Sequence, residues 1–260
     1  MNPLQISLEN DSLRNDLNLL LSVAVGEDHF SSARAIAELI RRIGMHLAFD
    51  GRILYEIVTI TKKEHLGNSP IYAPLPTSGK IIKLDNLYAQ IAFNKEKKLR
   101  IIFLQPSEIW QIKLPNNFVD LRQQRIMRRR LILSSKLVPD YLSGMTTNWL
   151  EDKNYNTTEF HNIQTNLFAS STQKWGWPAR GRWNENALDY FTVYRRIRFA
   201  HSLAILRRHI VMSLEKFLNR VNFPCRINIT GLMNAQDFIK LEQDLYEGKI
   251  SFEHALKMTW

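Results

Sequence analysis

The densest run of chemically capable side chains is Arg122-Gln123-Gln124-Arg125-Ile126-Met127-Arg128-Arg129-Arg130. A guanidinium is permanently charged and presents a planar fork of donors, so it suits bidentate contact with phosphate or carboxylate. At helical spacing Arg122, Arg125 and Arg129 share one face, while Arg128 and Arg130 turn away from it. Phosphate contact, docking of an acidic protein and a merely solvated helix all fit this pattern. A second cluster interleaves cations with indoles: Lys174, Trp175, Trp177, Arg180, Arg182 and Trp183. Such a loop can stack or brush against DNA, or it can anchor a subunit interface through its tryptophans. A third cluster, Arg195, Arg196 and Arg198, lies near the start of the longest helical stretch.

Catalytic patterns are missing. The seven histidines (His29, His46, His65, His161, His201, His209 and His254) form no HxxxH pair and have no cysteine pair beside them. His201 and His209 stand eight apart, too far along a helix to share a metal ion. No GxxxxGK[ST] or GxGxxG loop offers bare amides to a phosphate, and GxSxG is also absent. Asp50 and Glu56 with Lys62 or Lys63 imitate a metal-dependent nuclease, but Glu56 and Lys62 are six apart rather than two. The single cysteine, Cys225, has apolar neighbours and excludes an intrachain disulfide; it reads as a buried structural thiol. The expectation is a non-enzyme that needs no cofactor and no metal.

The elements that must carry these clusters follow from periodicity. Leu13, Leu17, Leu20 and Leu21 predict a helix over 11–22. A second runs from Ser31 or Ser32 to about Leu47 and buries Ala33, Ile36, Ala37, Ile40, Ile43 and Leu47. Asp50-Gly51 ends it. Alternation then predicts strands from Arg52, over Lys80–Leu84, Leu87–Phe93 and Leu99–Leu104, and over Ile109–Leu114. The stretch 67–79, rich in Pro, Ser and Gly, reads as loop, and Asn94–Lys98 as a charged hairpin turn. A helical pattern returns over 118–138, where six positive residues face Asp120 alone, and Pro139 stops it. Residues 140–157 read as a hairpin or loop, and Thr158–Thr172 as a weak helix. The longest helix spans about 185–220 with Asn184 as its cap; at 1.5 Å per residue it would extend roughly 54 Å. A short strand over Arg226–Thr230 follows. A helix capped by Asn234 runs to Leu245, Gly248 ends it, and a last helix starts at Ser251. The fold class is therefore α+β.

Length and charge bound the rest. A chain of 260 residues, 45% apolar and 23% charged, can bury one large core or two small ones. Its net charge of +10 favours a polyanionic partner. The start, Met1-Asn2-Pro3-Leu4, lacks the features of a signal peptide, and no apolar run approaches the ~18 residues of a membrane span. No membrane association is expected.

The order of these pieces resembles the portal proteins of tailed bacteriophages. The resemblance rests on Trp175-Gly176-Trp177-Pro178 ahead of a long helix. That helix runs from Ala187-Leu188-Asp189-Tyr190 through Leu203, Leu206, Arg207 and Ile210 to Glu215, Leu218 and Asn219. Further along, Ile227-Asn228-Ile229, Asn234-Ala235-Gln236-Asp237 and Glu247-Gly248-Lys249-Ile250-Ser251-Phe252-Glu253 are also similar. Upstream, His46–Val58 resembles the helix-Gly-strand entry to a portal wing, and Leu104-Gln105-Pro106-Ser107-Glu108-Ile109 a later wing strand. The resemblance implies a compact portal with a wing-like α/β region over 1–115. Residues 116–184 would be the stem, clip and tunnel-loop region, and 185–260 the long wing helix and crown-like helices. It also implies a homo-oligomeric ring, usually a dodecamer, that passes double-stranded DNA and docks capsid protein, terminase and head–tail adaptor. Its place would be the capsid vertex of the virion, reached from the host cytoplasm during assembly. The arginine clusters and the tryptophan loop would then face DNA, a neighbouring subunit or solvent. Two other readings stand beside it: a basic nucleic-acid-binding protein of a phage or mobile element, and a divergent metal-dependent nuclease.

Overall fold

A computed structural model describes residues 4–8, 13–26, 31–60, 70–77, 80–93, 99–115, 118 and 189–259. Its elements, in chain order, begin with β1 (Leu4–Leu8), α1 (Arg14–Val25), α2 (Ser32–Asp50) and β2 (Arg52–Ile60). There follow β3 (Ile71–Pro76), β4 (Lys80–Lys83), β5 (Tyr88–Phe93), β6 (Leu99–Leu104), a 3-10 turn (Pro106–Glu108) and β7 (Ile109–Lys113). The last four are α3 (Asp189–Arg220), β8 (Cys225–Ile229), α4 (Ala235–Tyr246) and α5 (Phe252–Met258). Helices and small antiparallel sheets coexist, so the chain is α+β. It divides into two compact units, one of Met1–Lys113 with Arg207–Leu232, the other of Leu114–Leu206 with Met233–Trp260. Among the described residues no helix is long and apolar enough to cross a membrane.

In the first unit α1 and α2 pack by their leucine-rich faces. Leu17, Leu20, Leu21, Ala24 and Val25 of α1 are buried, and so are Ala35, Ile36, Leu39, Ile43 and Leu47 of α2. This corrects the predicted α2 stripe, because Ala37 is exposed and Ile40 only half-buried. Ile36, Ile43 and Leu47 lie on one line of the helix, with 35 and 39 flanking it on one side and 37 and 40 on the other. Periodicity tolerates either flank; packing against α1 and the strands selects Ala35 and Leu39. Both helices end on glycines in the left-handed conformation. Gly26 (φ 73°) donates its N–H to the Ser22 carbonyl, and Gly51 (φ 72°) donates to that of Leu47. Arg42 ties the two helices, donating to the Val25 carbonyl at the end of α1 and to the Glu38 carboxylate. Hydrogen bonds from Arg41 and Arg42 hold the Glu38 carboxyl down at about 2.

Two three-stranded antiparallel sheets follow, ordered β3-β2-β7 and β4-β5-β6. β3 is a correction, since its residues fall in the predicted loop. Pro74 and Pro76 cannot donate to a ladder, which is why the stretch looks like loop in sequence. β3 is an edge strand, where one side needs no donor. β1 was also unforeseen; it pairs antiparallel with β8 across more than two hundred residues of chain, Ile6 opposite Ile227. Leu54, Ile81, Tyr88, Ile102, Leu104 and Ile109 pack together on one face of the β4-β5-β6 sheet.

Residues 207–220 of α3 lie across β7. The Trp110 ring stacks on Phe217 with centroids 4.6 Å apart and meets Tyr55 at 5.1 Å. The Trp110 indole N–H donates to Ser213 Oγ at 3.3 Å. A β-carbon at Gly44 would stand 3.9 Å from Ile210 Cδ1, so α2 meets α3 through a glycine. The helix ends in a Schellman turn: Phe223 N–H donates to the Leu218 carbonyl, and Asn222 takes φ 65°.

The described part of the second unit is a helical cluster. Val193, Ile197 and Ala204 of α3 pack with Phe238, Leu241 and Leu245 of α4 and Ala255 of α5. Asn234 caps α4, its side-chain oxygen accepting from the Gln236 and Asp237 amides, and Asp237 returns a bond to the Asn234 amide. Ser251 Oγ accepts from the His254 amide to start α5. Both caps stand where the sequence puts them. Gly248 (φ 69°) closes α4 in a second Schellman turn.

Candidate nucleic-acid interface

The site is built on the first stretch of α3. Val193, Ile197 and Ala204 face the helical cluster. The opposite face, at spacing i, i+4, i+7, carries Phe191, Arg195 and Arg198, all exposed. Tyr194 flanks them. The Arg198 guanidinium lies 5.7 Å over the Tyr194 ring centroid and donates to its hydroxyl at 3.0 Å. This holds one guanidinium against an aromatic plane while much of its fork stays open to solvent. Arg195 makes no ion pair among the described residues. The three arginines are therefore not equivalent. Arg195 and Arg198 share the outward face with Phe191, whereas Arg196 points to the flank and is half-buried.

Two cations, an exposed phenyl ring and a tyrosine on one helix face can contact a phosphate backbone and stack against a base. Burial holds the nearby His201 below its ordinary value, against the upward pull of Glu242 and with a push the same way from Arg198. Among the described residues no group of three or more His, Cys, Asp or Glu side chains could hold a metal ion.

Several other polar residues of α3 are engaged with the strands. Arg220 donates to the carbonyls of Ser107 and Ile109, clamping the turn before β7. His209 Nε2 lies 2.8 Å from the Lys113 carbonyl at the end of that strand. Glu215 Oε1 accepts from the Ile227 amide of β8 at 2.8 Å. Arg207 is half-buried, which lowers its pKa without discharging it. Arg208 and Lys216 are exposed. Arg220 reaches a strand more than a hundred residues away in the chain, whereas Glu215 reaches the strand that follows its own helix.

The other predicted clusters, Arg122, Arg125, Arg128, Arg129 and Arg130, and Lys174, Trp175, Trp177, Arg180, Arg182 and Trp183, lie outside the described residues. So do Lys62 and Lys63. Of the nuclease-like set, Asp50 ends α2 with His46 Nδ1 3.7 Å from its carboxylate, and Glu56 sits mid-strand in β2 between Leu75 and Ile109. Cys225 is buried in β8; burial, with help from the Glu215 charge, pushes its thiol up to about 11. A thiol so placed is inert at neutral pH. No protein-family model matches the chain, and no curated protein matches it.

Proposed function

We propose that the chain is a portal-like subunit, a structural protein whose homo-oligomeric ring forms the channel for DNA entering and leaving a phage or phage-derived capsid. The observation that carries this reading is the order of elements around the turns that resemble portals. α2 passes through a left-handed Gly51 directly into β2. A helix of 32 residues is followed by a strand, a short helix and the Gly248–Ser251 turn into another. In this reading the subunit makes and breaks no bonds. Its exposed Arg195 and Arg198 offer mobile-phosphate contacts that are individually weak, which suits a polymer that must slide. Terminase, capsid protein and head–tail adaptor would dock on the ring at the capsid vertex.

A second reading, a basic nucleic-acid-binding protein that works without a ring, draws on the same outward face of Phe191, Arg195 and Arg198. Light scattering and negative-stain microscopy separate the two. The portal reading expects a closed ring of about twelve copies; a chain that stays monomeric at high concentration overturns it. In that case, salt-dependent DNA affinity that weakens in Arg195→Ala/Arg198→Ala would leave the second reading standing.

A further inference from the structure

The β4-β5-β6 sheet has one face on the core, and among the described residues its other face carries a row of exposed apolar side chains. Antiparallel register puts Ile82 opposite Ala89, Ala89 opposite Phe103, and Ile91 opposite Ile101. The outward set is therefore Ile82 and Leu84, then Leu87, Ala89 and Ile91, then Leu99, Ile101 and Phe103, with Ala89 buried and Ile91 half-buried among their larger neighbours. Ile82, Leu84, Leu87, Leu99, Ile101 and Phe103 are between 40% and 62% exposed. A half-solvated antiparallel sheet alternates apolar with polar residues; β6 instead reads Leu-Arg-Ile-Ile-Phe-Leu. Near-continuous apolar strands are those buried on both faces. The sequence of β6 is thus that of a covered strand, and among the described residues it is an edge strand of its sheet.

We infer that this face is a self-association surface, covered by a second copy of the chain. Area is the first argument. Taking roughly 200 Å² for a fully exposed large apolar side chain, the six present about 600 Å², close to the ~800 Å² per partner of a stable interface before any neighbouring residue is counted. Charge is the second. The chain carries +10, so two copies repel wherever cations meet. All six exposed side chains here are uncharged, and Lys80 falls in their register only at the β4 corner, away from β6. The same neutrality offers nothing to a polyanion. The inference deepens the ring reading by naming one subunit contact, and it rests on that reading only for the number of copies.

The test uses the full chain. Light scattering over a concentration series is compared for wild type, Ile101→Asp/Phe103→Asp and the milder Phe103→Ser, with hydrogen exchange read over residues 99–104. Both positions are more than half exposed, so thermal unfolding is expected to match wild type. The expected result is wild-type self-association with protection of 99–104 that grows with concentration. The double variant should dissociate at concentrations roughly 100-fold higher or more, and Phe103→Ser should fall between. Variants that assemble like wild type overturn the inference and leave the ring reading to other surfaces. A wild-type dimer broken by the substitutions supports the inference and overturns the ring. A wild-type monomer overturns both, whether 99–104 is protected at every dilution by another segment of the chain or at none.

Discussion

The two ends of α3 use the same residue types for different ends. In residues 191–204 Phe191, Arg195 and Arg198 on the outer face are exposed, while Val193, Ile197, Ala200 and Ala204 pack into the helical cluster. In residues 207–220 several polar and aromatic side chains are committed, although Arg208 and Lys216 stay exposed. Phe217 stacks on Trp110, Ser213 receives its indole N–H, Glu215 receives a β8 amide, and Arg220 holds two carbonyls. A basic helix is therefore not a uniform basic surface. A guanidinium beside a strand end completes the backbone hydrogen bonding of that strand, whereas one with only solvent beside it keeps its donors for a ligand.

The comparison breaks most visibly at the aromatic pair. Phe217→Ala should lose about 3–5 kcal/mol of unfolding free energy, because it empties the space beside Trp110. Phe191→Ala at the other end should cost no more than about 0.5–1 kcal/mol, since the ring is exposed. Urea denaturation measures both, and similar losses would erase the distinction. The arginines test it at a finer scale. Arg220→Ala should cost about 1–2 kcal/mol by leaving the Ser107 and Ile109 carbonyls without their donor. Arg195→Ala should leave stability within about 0.5 kcal/mol and instead reduce the salt dependence of DNA binding by about one unit of slope. Thermal unfolding beside a salt titration of DNA affinity reads the two effects independently. The smallest effect is a gain. Gly44→Ala removes a helix-interior glycine, and its new methyl meets Ile210 at ordinary contact distance. Stability should rise by about 0.5–1 kcal/mol; a loss in the same denaturation assay would mean that the approach of α2 to α3 is already as close as packing allows.

Much of the fold is legible in particular residues. Gly51, Asn234, Gly248 and Ser251 mark helix ends because each has a local reason to be there, either a positive φ or a side-chain acceptor for a free amide. Strands β5 and β6 show in their runs of apolar residues. β3 hides behind Pro74 and Pro76, and the sequence contains nothing to say that its ladder needs donors on one side only. β1 was missed although Leu4, Ile6 and Leu8 alternate with Gln5 and Ser7, a signal that could have found it. The candidate site was half legible. Arg195 and Arg198 stand in the sequence as one cluster with Arg196, whereas Phe191 and Tyr194 were missed, although the i, i+4, i+7 spacing of Phe191, Arg195 and Arg198 could have found the first.

The sequence by itself determined the α+β class, most helix ends and the large positive charge, because caps, periodicity and charge act over a few residues or sum over the chain. Only the tertiary structure decided which row of α2 is buried, that β1 joins β8, that Arg220 and Glu215 belong to strands, and that β6 shows an apolar face to solvent. These depend on which distant segments meet, and a residue's neighbours in space are not its neighbours in the chain.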